Sequence, residues 1–437
     1  MSLLNLSCRR RFFRFWLAAI ALTWLSAISQ LAIAQMAAPP FAVPNPGDTF
    51  KVTVGTNVTY DSNVFRASEL INPVTQLGVS SKSDLIFATS ATVGMRKYFG
   101  MQRIDAAGIF VDNRYDKNVF LDFFAINYNA NWAWRLTPRF HGNAGTFHTE
   151  ALNNFGNLTG FTSSNLRNIR TSDNHRFDGV YEVTPAWHLL TSVSQQISKN
   201  SVAATADFNN QVLSVEGGAR YVTPSGGTAT YTFRQGYGEF MNRPVPIESS
   251  QLDTKFDDME NDLRLVWPVT VDTTVDGRVG YFKRTHAHFS DRNFEGPVGN
   301  FNLKWAVTSK TRITTGWSHD LFNSQTAANF LFTQVGSVFS SSYFINEAFY
   351  IMPIWQITAK TALRVRYDYT TRHYKGPVAP VPFERIDSQH SAMIALDWQP
   401  YEKIFLSAEF RRDHRNSNLQ GFGYDVTAGS LIARLNF

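Results

Sequence analysis

From Phe50 to its last residue the chain repeats one unit, a pair of segments in which apolar and polar residues alternate, joined by a tight turn. That period of two commits the chain to β-sheet, because only a strand sends successive side chains to opposite faces. Turns are predicted at Tyr98-Phe99-Gly100, Thr137-Pro138, Thr184-Pro185, Thr223-Pro224, Trp267-Pro268, Thr308-Ser309, Met352-Pro353 and Gln399-Pro400. Their spacing of about 40 to 47 residues holds two strands of roughly 9 to 14 residues, one short turn and one long loop. A β-propeller shares the period but needs four strands per repeat, and only two are found.

The final segment shows what the two faces meet. In Asp425–Phe437, Leu435, Ala433, Leu431 and Gly429 fall on one face, and Asn436, Arg434 and Ser430 on the other. One face suits lipid and the other a wet lumen. Thr361–Tyr369 sets Leu363, Val365, Tyr367 and Tyr369 against Arg364, Arg366 and Asp368, and Val271–Tyr281 sets Val271, Val275, Val279 and Tyr281 against Asp272, Asp276 and Arg278. Periodicity alone leaves open which face is outside. Tryptophan decides it: Trp132, Trp134, Trp187, Trp267, Trp305, Trp355 and Trp398 all sit near the short turns, the placement of an aromatic girdle at one membrane interface. The opposite connections, Asp61 to Lys82, Glu150 to Ser172, Gln325 to Ser340 and Lys375 to Ile386, are long and polar. The expected fold is all-β: a transmembrane antiparallel up-and-down barrel of about eighteen strands, with short periplasmic turns and long extracellular loops.

The first residues give the route. Arg9, Arg10, Arg11 and Arg14 precede the apolar run from Phe15 to Ile28, and Ala32-Ile33-Ala34 offers a cleavage site, so 1–34 is predicted as a signal peptide. Residues 35–49, rich in proline, are expected as a periplasmic leader and 50–437 as the barrel. The single cysteine, Cys8, leaves with the signal, which excludes a disulfide framework and thiol chemistry. The signal carries four arginines and no acid, so its removal takes the formal net charge from +6 to +2. Nucleic-acid binding loses its support.

Enzymatic arrangements are weak. His286, His288 and Asp291 could form a metal site or hydrolytic pair, though histidines at a loop mouth are the plainer explanation. His141, His148 and His175 are scattered near strand ends, and no spacing matches a zinc motif. Asp257, Asp258, Glu260 and Asp262 form an acidic run where cations could bind. No catalytic residue, cofactor or metal is expected.

Basic and aromatic residues recur where strands meet long loops: Arg114 with Tyr115, Arg234 with Tyr237, Arg284, Arg372 with Tyr374, and Arg411 with Arg412. Aromatic rings stack on sugars and arginine forks grip carboxylates or phosphates, so these are candidate polysaccharide or lipopolysaccharide contacts. Arg264, Asp276, Arg278, Lys304, Arg364, Arg366 and Asp368 are candidate lumen charges, with Arg312, Arg434, Asp272 and Asp397 beside them. Wall-bracing ion pairs are one role for them; steering an anionic solute is the other.

After the strand Lys51–Thr56, the segment Tyr60-Asp61-Ser62-Asn63-Val64-Phe65-Arg66 resembles the opening of the EpsL family, outer-membrane β-barrels encoded with exopolysaccharide genes in proteobacteria. The resemblance extends to the signal, the proline turns and the terminal Phe437, which is also similar to the signal read by the barrel-assembly machinery. It implies a part in exopolysaccharide biosynthesis and export, as a conducting pore or its accessory, and it supplies no catalytic residue. The implied partners are outer-membrane lipid and lipopolysaccharide, the assembly machinery, extracellular polysaccharide and periplasmic export components. Without the polysaccharide context the same barrel predicts a general or solute-selective porin. An outer-membrane enzyme acting on lipid or polysaccharide is the further alternative.

Overall fold

The computed structural model describes residues 50–153, 155, 167–243, 252–324, 341–376 and 384–437. The expected signal peptide, leader and Gln325–Ser340 loop lie outside the described residues. Among these, eighteen strands follow one another in the order β1 (Phe50–Asp61), β2 (Asp84–Phe99), β3 (Gln102–Tyr115), β4 (Phe123–Arg135), β5 (Phe140–Leu152), β6 (Ile169–Glu182), β7 (Trp187–Asn200), β8 (Asn210–Val222), β9 (Thr228–Phe240), β10 (Lys255–Pro268), β11 (Thr273–His286), β12 (Phe294–Ala306), β13 (Thr311–Asn323), β14 (Tyr343–Thr358), β15 (Thr361–Lys375), β16 (Ile386–Tyr401), β17 (Ile404–Ser417) and β18 (Tyr424–Asn436). Each pairs antiparallel with its sequence neighbours, and β1 pairs with β18, so the sheet closes into a barrel without an edge. Phe437 finishes the seam, its amide donating to the Val52 carbonyl (2.8 Å).

Register fixes which residues share a face. Leu263, Leu265 and Trp267 of β10 oppose Val279, Gly277 and Val275 of β11, and of this row Leu263, Leu265, Trp267 and Val279 are exposed. The intervening Arg264 and Asp276 point to the lumen, where they bond each other. The same exposed apolar face runs through Leu431 and Leu435 of β18 and Ile394, Leu396 and Trp398 of β16. Most charged residues of the outer face, Arg114, Glu150, Lys199, Lys283, Glu347 and Arg412 among them, sit toward the loop ends. Trp132, Trp187, Trp267, Trp305, Trp355 and Trp398 stand exposed at the turn ends. A closed sheet with an apolar belt, an aromatic girdle and polar lumen satisfies its own backbone in hydrocarbon, so the protein is an outer-membrane β-barrel of a Gram-negative bacterium.

Three predicted turns are misplaced. Pro268 closes β10, Pro353 lies inside β14 and Pro400 inside β16, while the chain reverses at 269–272, 359–360 and 402–403. Val271 is therefore a turn residue, not part of a strand. The prolines are tolerated because the ladder is interrupted around them: Met352 and Pro353 have no partner on β15, and Pro400 falls in the irregularity between Trp398 and Tyr401. The recurring turn residue is threonine. Thr137 Oγ1 accepts from the amides of Arg139 and Phe140, Thr184 from Ala186 and Trp187, and Thr308 from Lys310 and Thr311. Thr270 and Thr358 mark two of the displaced turns in the same way, accepting from Asp272 and Lys360.

Candidate functional site

The lumen is where strand alternation places the charge. On the wall from β6 to β13, Arg176 bonds Glu216 (3.2 Å), Arg278 bonds Glu260 (2.9 Å) and Asp320 (3.1 Å), and Glu260 also receives Arg234. Arg264 forks onto Asp276 (3.0 and 2.6 Å), and Arg284 onto Asp258 (2.6 and 2.7 Å). On the facing wall Arg364 meets Asp397 (3.3 Å) and Arg366 meets Asp368 (2.6 Å). All seven candidate lumen charges thus face inward; Lys304 is exposed there and has no acid within ion-pair distance among the described residues. Short polar residues, such as Ser90, Ser192, Thr230, Asn300, Ser318 and Ser430, fill the lumen face between the charges.

The expected basic and aromatic rim is divided by the same alternation. Arg114, Tyr237 and Arg412 are on the outer wall, where Arg114 already pairs with Asp112 (3.0 Å) and Asp122 (3.3 Å). Tyr115, Arg234, Arg284, Arg372, Tyr374 and Arg411 face inward and are engaged by the protein itself. Arg284 lies over the Phe256 ring (3.9 Å), Arg372 donates to Asn346 (3.3 Å) and Arg411 meets Asp413 (3.3 Å). The acidic run divides too: Asp257 is outside, whereas Asp258, Glu260 and Asp262 belong to the lumen pairs. His286 and His288 do not converge: His286 packs between Phe256 and Phe294, and His288 bonds Asp253 (3.0 Å). His141 bonds Glu182, His148 bonds Asp173 and His175 bonds Thr146, three separate contacts.

The mouth is built by loops that sequence reasoning took as long and polar. The β1–β2 loop carries a short helix, Pro73–Leu77, and buries Phe65, Ala67, Ile71, Leu77 and Val79 against Leu121 and Phe155 from the next two loops, with Tyr115 packed alongside. The family-like segment ties this loop down. Asp61 Oδ1 accepts from the Asn63 amide (2.8 Å), Arg66 pairs with Asp61 (2.8 Å), and Asn63 exchanges two bonds with the Ala67 backbone (2.8 and 3.0 Å). Ser62 Oγ accepts from the Thr427 amide (2.8 Å), Tyr60 faces outward and Phe65 is wholly buried. Arg66 adopts φ 50°, a left-handed conformation held by these contacts.

Elsewhere around the mouth, Arg385 and Arg415 share Asp387 (2.6 and 2.5 Å), and Arg385 lies over Phe422 (3.7 Å). Asp253, fully buried, accepts from the amides of His288 (2.7 Å) and Phe289 (2.9 Å). These loop anchors carried no sequence signal beyond apolar or charged residues inside polar loops.

The barrel is similar in structure to OccK1 (OpdK) of Pseudomonas aeruginosa, at 10% identity and a TM-score of 0.49, over 89% of this chain and 99% of that one. It is similar to a BenF-like porin of Pseudomonas fluorescens Pf-5 (11%, 0.48) and to OccAB3 of Acinetobacter baumannii (11%, 0.45), each over 89% of this chain and 99% of the other. No protein-family model matches the sequence, and no curated protein does.

Proposed function

We propose that the barrel is a porin-like channel for small hydrophilic solutes. The observation that carries this is the distribution of apolar packing: among the described residues the buried apolar clusters gather at the loop end, under the mouth. Below them the lumen wall is mainly charged or lined by short polar side chains, with apolar ones such as Val266, Ile354 and Phe405 among them, a surface that holds water rather than a continuous packed core. Barrels with this many strands enclose an aqueous path unless a segment fills it.

Export of an exopolysaccharide, implied by the resemblance at Tyr60–Arg66, is a second proposal. In the fold those residues anchor a loop, with Phe65 buried and Asp61 and Arg66 paired, so the support for export is the sequence resemblance alone. An enzymatic role for His286, His288 and Asp291 has less support, since the two histidines have different surroundings.

Swelling of proteoliposomes in a size series of sugars tests the channel. Rates that fall with solute mass, and that the producing organism's polysaccharide leaves unchanged, are expected; no swelling by folded protein would overturn the proposal. Inhibition by polymer at low concentration would move the balance to export.

A further inference from the structure

The lumen charges are not spread evenly along the barrel axis. In the half toward the loops the acids Asp258, Glu260, Asp320 and Asp413 are each within ion-pair distance of an arginine. At the turn end the acids are also taken: Asp105 by Arg96 (2.5 Å) and Arg103 (2.6 Å), Asp276 by Arg264 (2.6 Å), and Asp397 by Arg364 (3.3 Å). Glu182 is held there by His141 (2.9 Å). What is left over at that end is cationic. Lys51, Arg135, Arg220, Lys304 and Arg312 all lie within a few residues of the turn ends of their strands, on the lumen face. None has an acid within ion-pair distance among the described residues; Arg220 donates only to Thr230 (3.3 Å). Lys51, Arg135, Lys304 and Arg312 are exposed to the lumen.

We propose that these five cations form an anion-selecting ring at the periplasmic end of the channel, and that the solutes it favours are small anions such as carboxylates and phosphates. The inference deepens the channel proposal and rests on it. Unneutralised charges spaced around a water-filled tube act together over a Debye length of about 8 to 10 Å, and low-dielectric walls focus their field along the axis. Most charges nearer the mouth are paired and contribute little net field; Arg170, half-buried there, donates to Ser198 (3.0 Å) and has no acid within ion-pair distance among the described residues. A tube charged at one end also passes current asymmetrically.

The test is the reversal potential of the full-length barrel in planar bilayers under a KCl gradient, which does not depend on the direction of insertion. The wild-type protein is expected to favour chloride over potassium. Lys51→Gln, Arg135→Gln, Lys304→Gln and Arg312→Gln together should bring the permeability ratio toward unity and flatten the current–voltage curve, with inorganic phosphate losing its partial block of the chloride current. Lys97→Gln, on the outer wall at the same end, should change neither. An equal or cation-favouring ratio in a conducting wild-type channel, or a ratio untouched by the fourfold variant, would overturn the ring while leaving the channel intact. Absence of any current would overturn the channel itself.

Discussion

Asp61 and Arg66 show how much of the mouth hangs on single side chains. Burial disfavours the Arg66 charge, but the Asp61 carboxylate outweighs it and holds the guanidinium above its usual range. Breaking one half of such a buried pair costs on the order of 3 kcal/mol. Asp61→Ala is therefore expected to release the β1–β2 loop, and Phe65→Ala, which empties a wholly buried site at a cost of about 3 kcal/mol, should do the same. Limited proteolysis between Ser62 and Ser83 reads both; cleavage no faster than in the wild type would contradict the anchoring role. Asp253 adds a pH dependence. Burial opposes its ionisation, but the His288 imidazole and the amides of Phe289, His288 and Lys255 more than offset this and bring it from 3.8 to about 2. A carboxylate lowered by folding stabilises fully above its unfolded value, and that contribution is lost as the pH falls through about 2. Hydrogen exchange at the His288 and Phe289 amides should therefore stay protected at pH 5 and lose protection in strong acid. Asp253→Asn should remove part of that protection at neutral pH.

Strand alternation was legible in the sequence because lipid and lumen impose opposite chemistry on neighbouring residues, as in Arg364, Val365 and Arg366. The turns were less so. Proline drew attention at Trp267-Pro268, Met352-Pro353 and Gln399-Pro400, whereas the threonine hydroxyl does the capping at Thr270 and Thr358. Replacing Thr137, Thr184 or Thr308 by Ala should each cost about 1 kcal/mol, adding nearly independently, in urea unfolding from lipid vesicles. One outer-wall site is tighter. Trp134 lies buried beside Phe140 and stacked on Phe177 (5.6 Å), over Gly142, where an added Cβ would meet the indole at 2.6 Å and the Asp178 carbonyl at 2.0 Å. Gly142→Leu is expected to destabilise the barrel by about 1–3 kcal/mol or block its assembly. A variant that folds with wild-type stability would show that the β4–β6 wall yields more readily than this packing implies.

The closed barrel and its inward charges could be read from period, girdle and loop asymmetry, since each is a local consequence of the membrane. The mouth could not. Phe65, Leu121 and Phe155 are isolated apolar residues in three separate loops, and only the fold brings them together. For the same reason the basic and aromatic residues that looked like one recognition rim divide between two faces, and Arg114 ends far in role from Arg284. What the assembled molecule presents is a barrel with a charged lumen face and apolar clusters packed at its loop end, and the channel proposal stands on that lumen conducting. Single-channel recording of the refolded protein in a planar bilayer tests this most directly. Discrete, stepwise conductance that persists in KCl is the expected result. Silence from protein shown to be folded and inserted would contradict it.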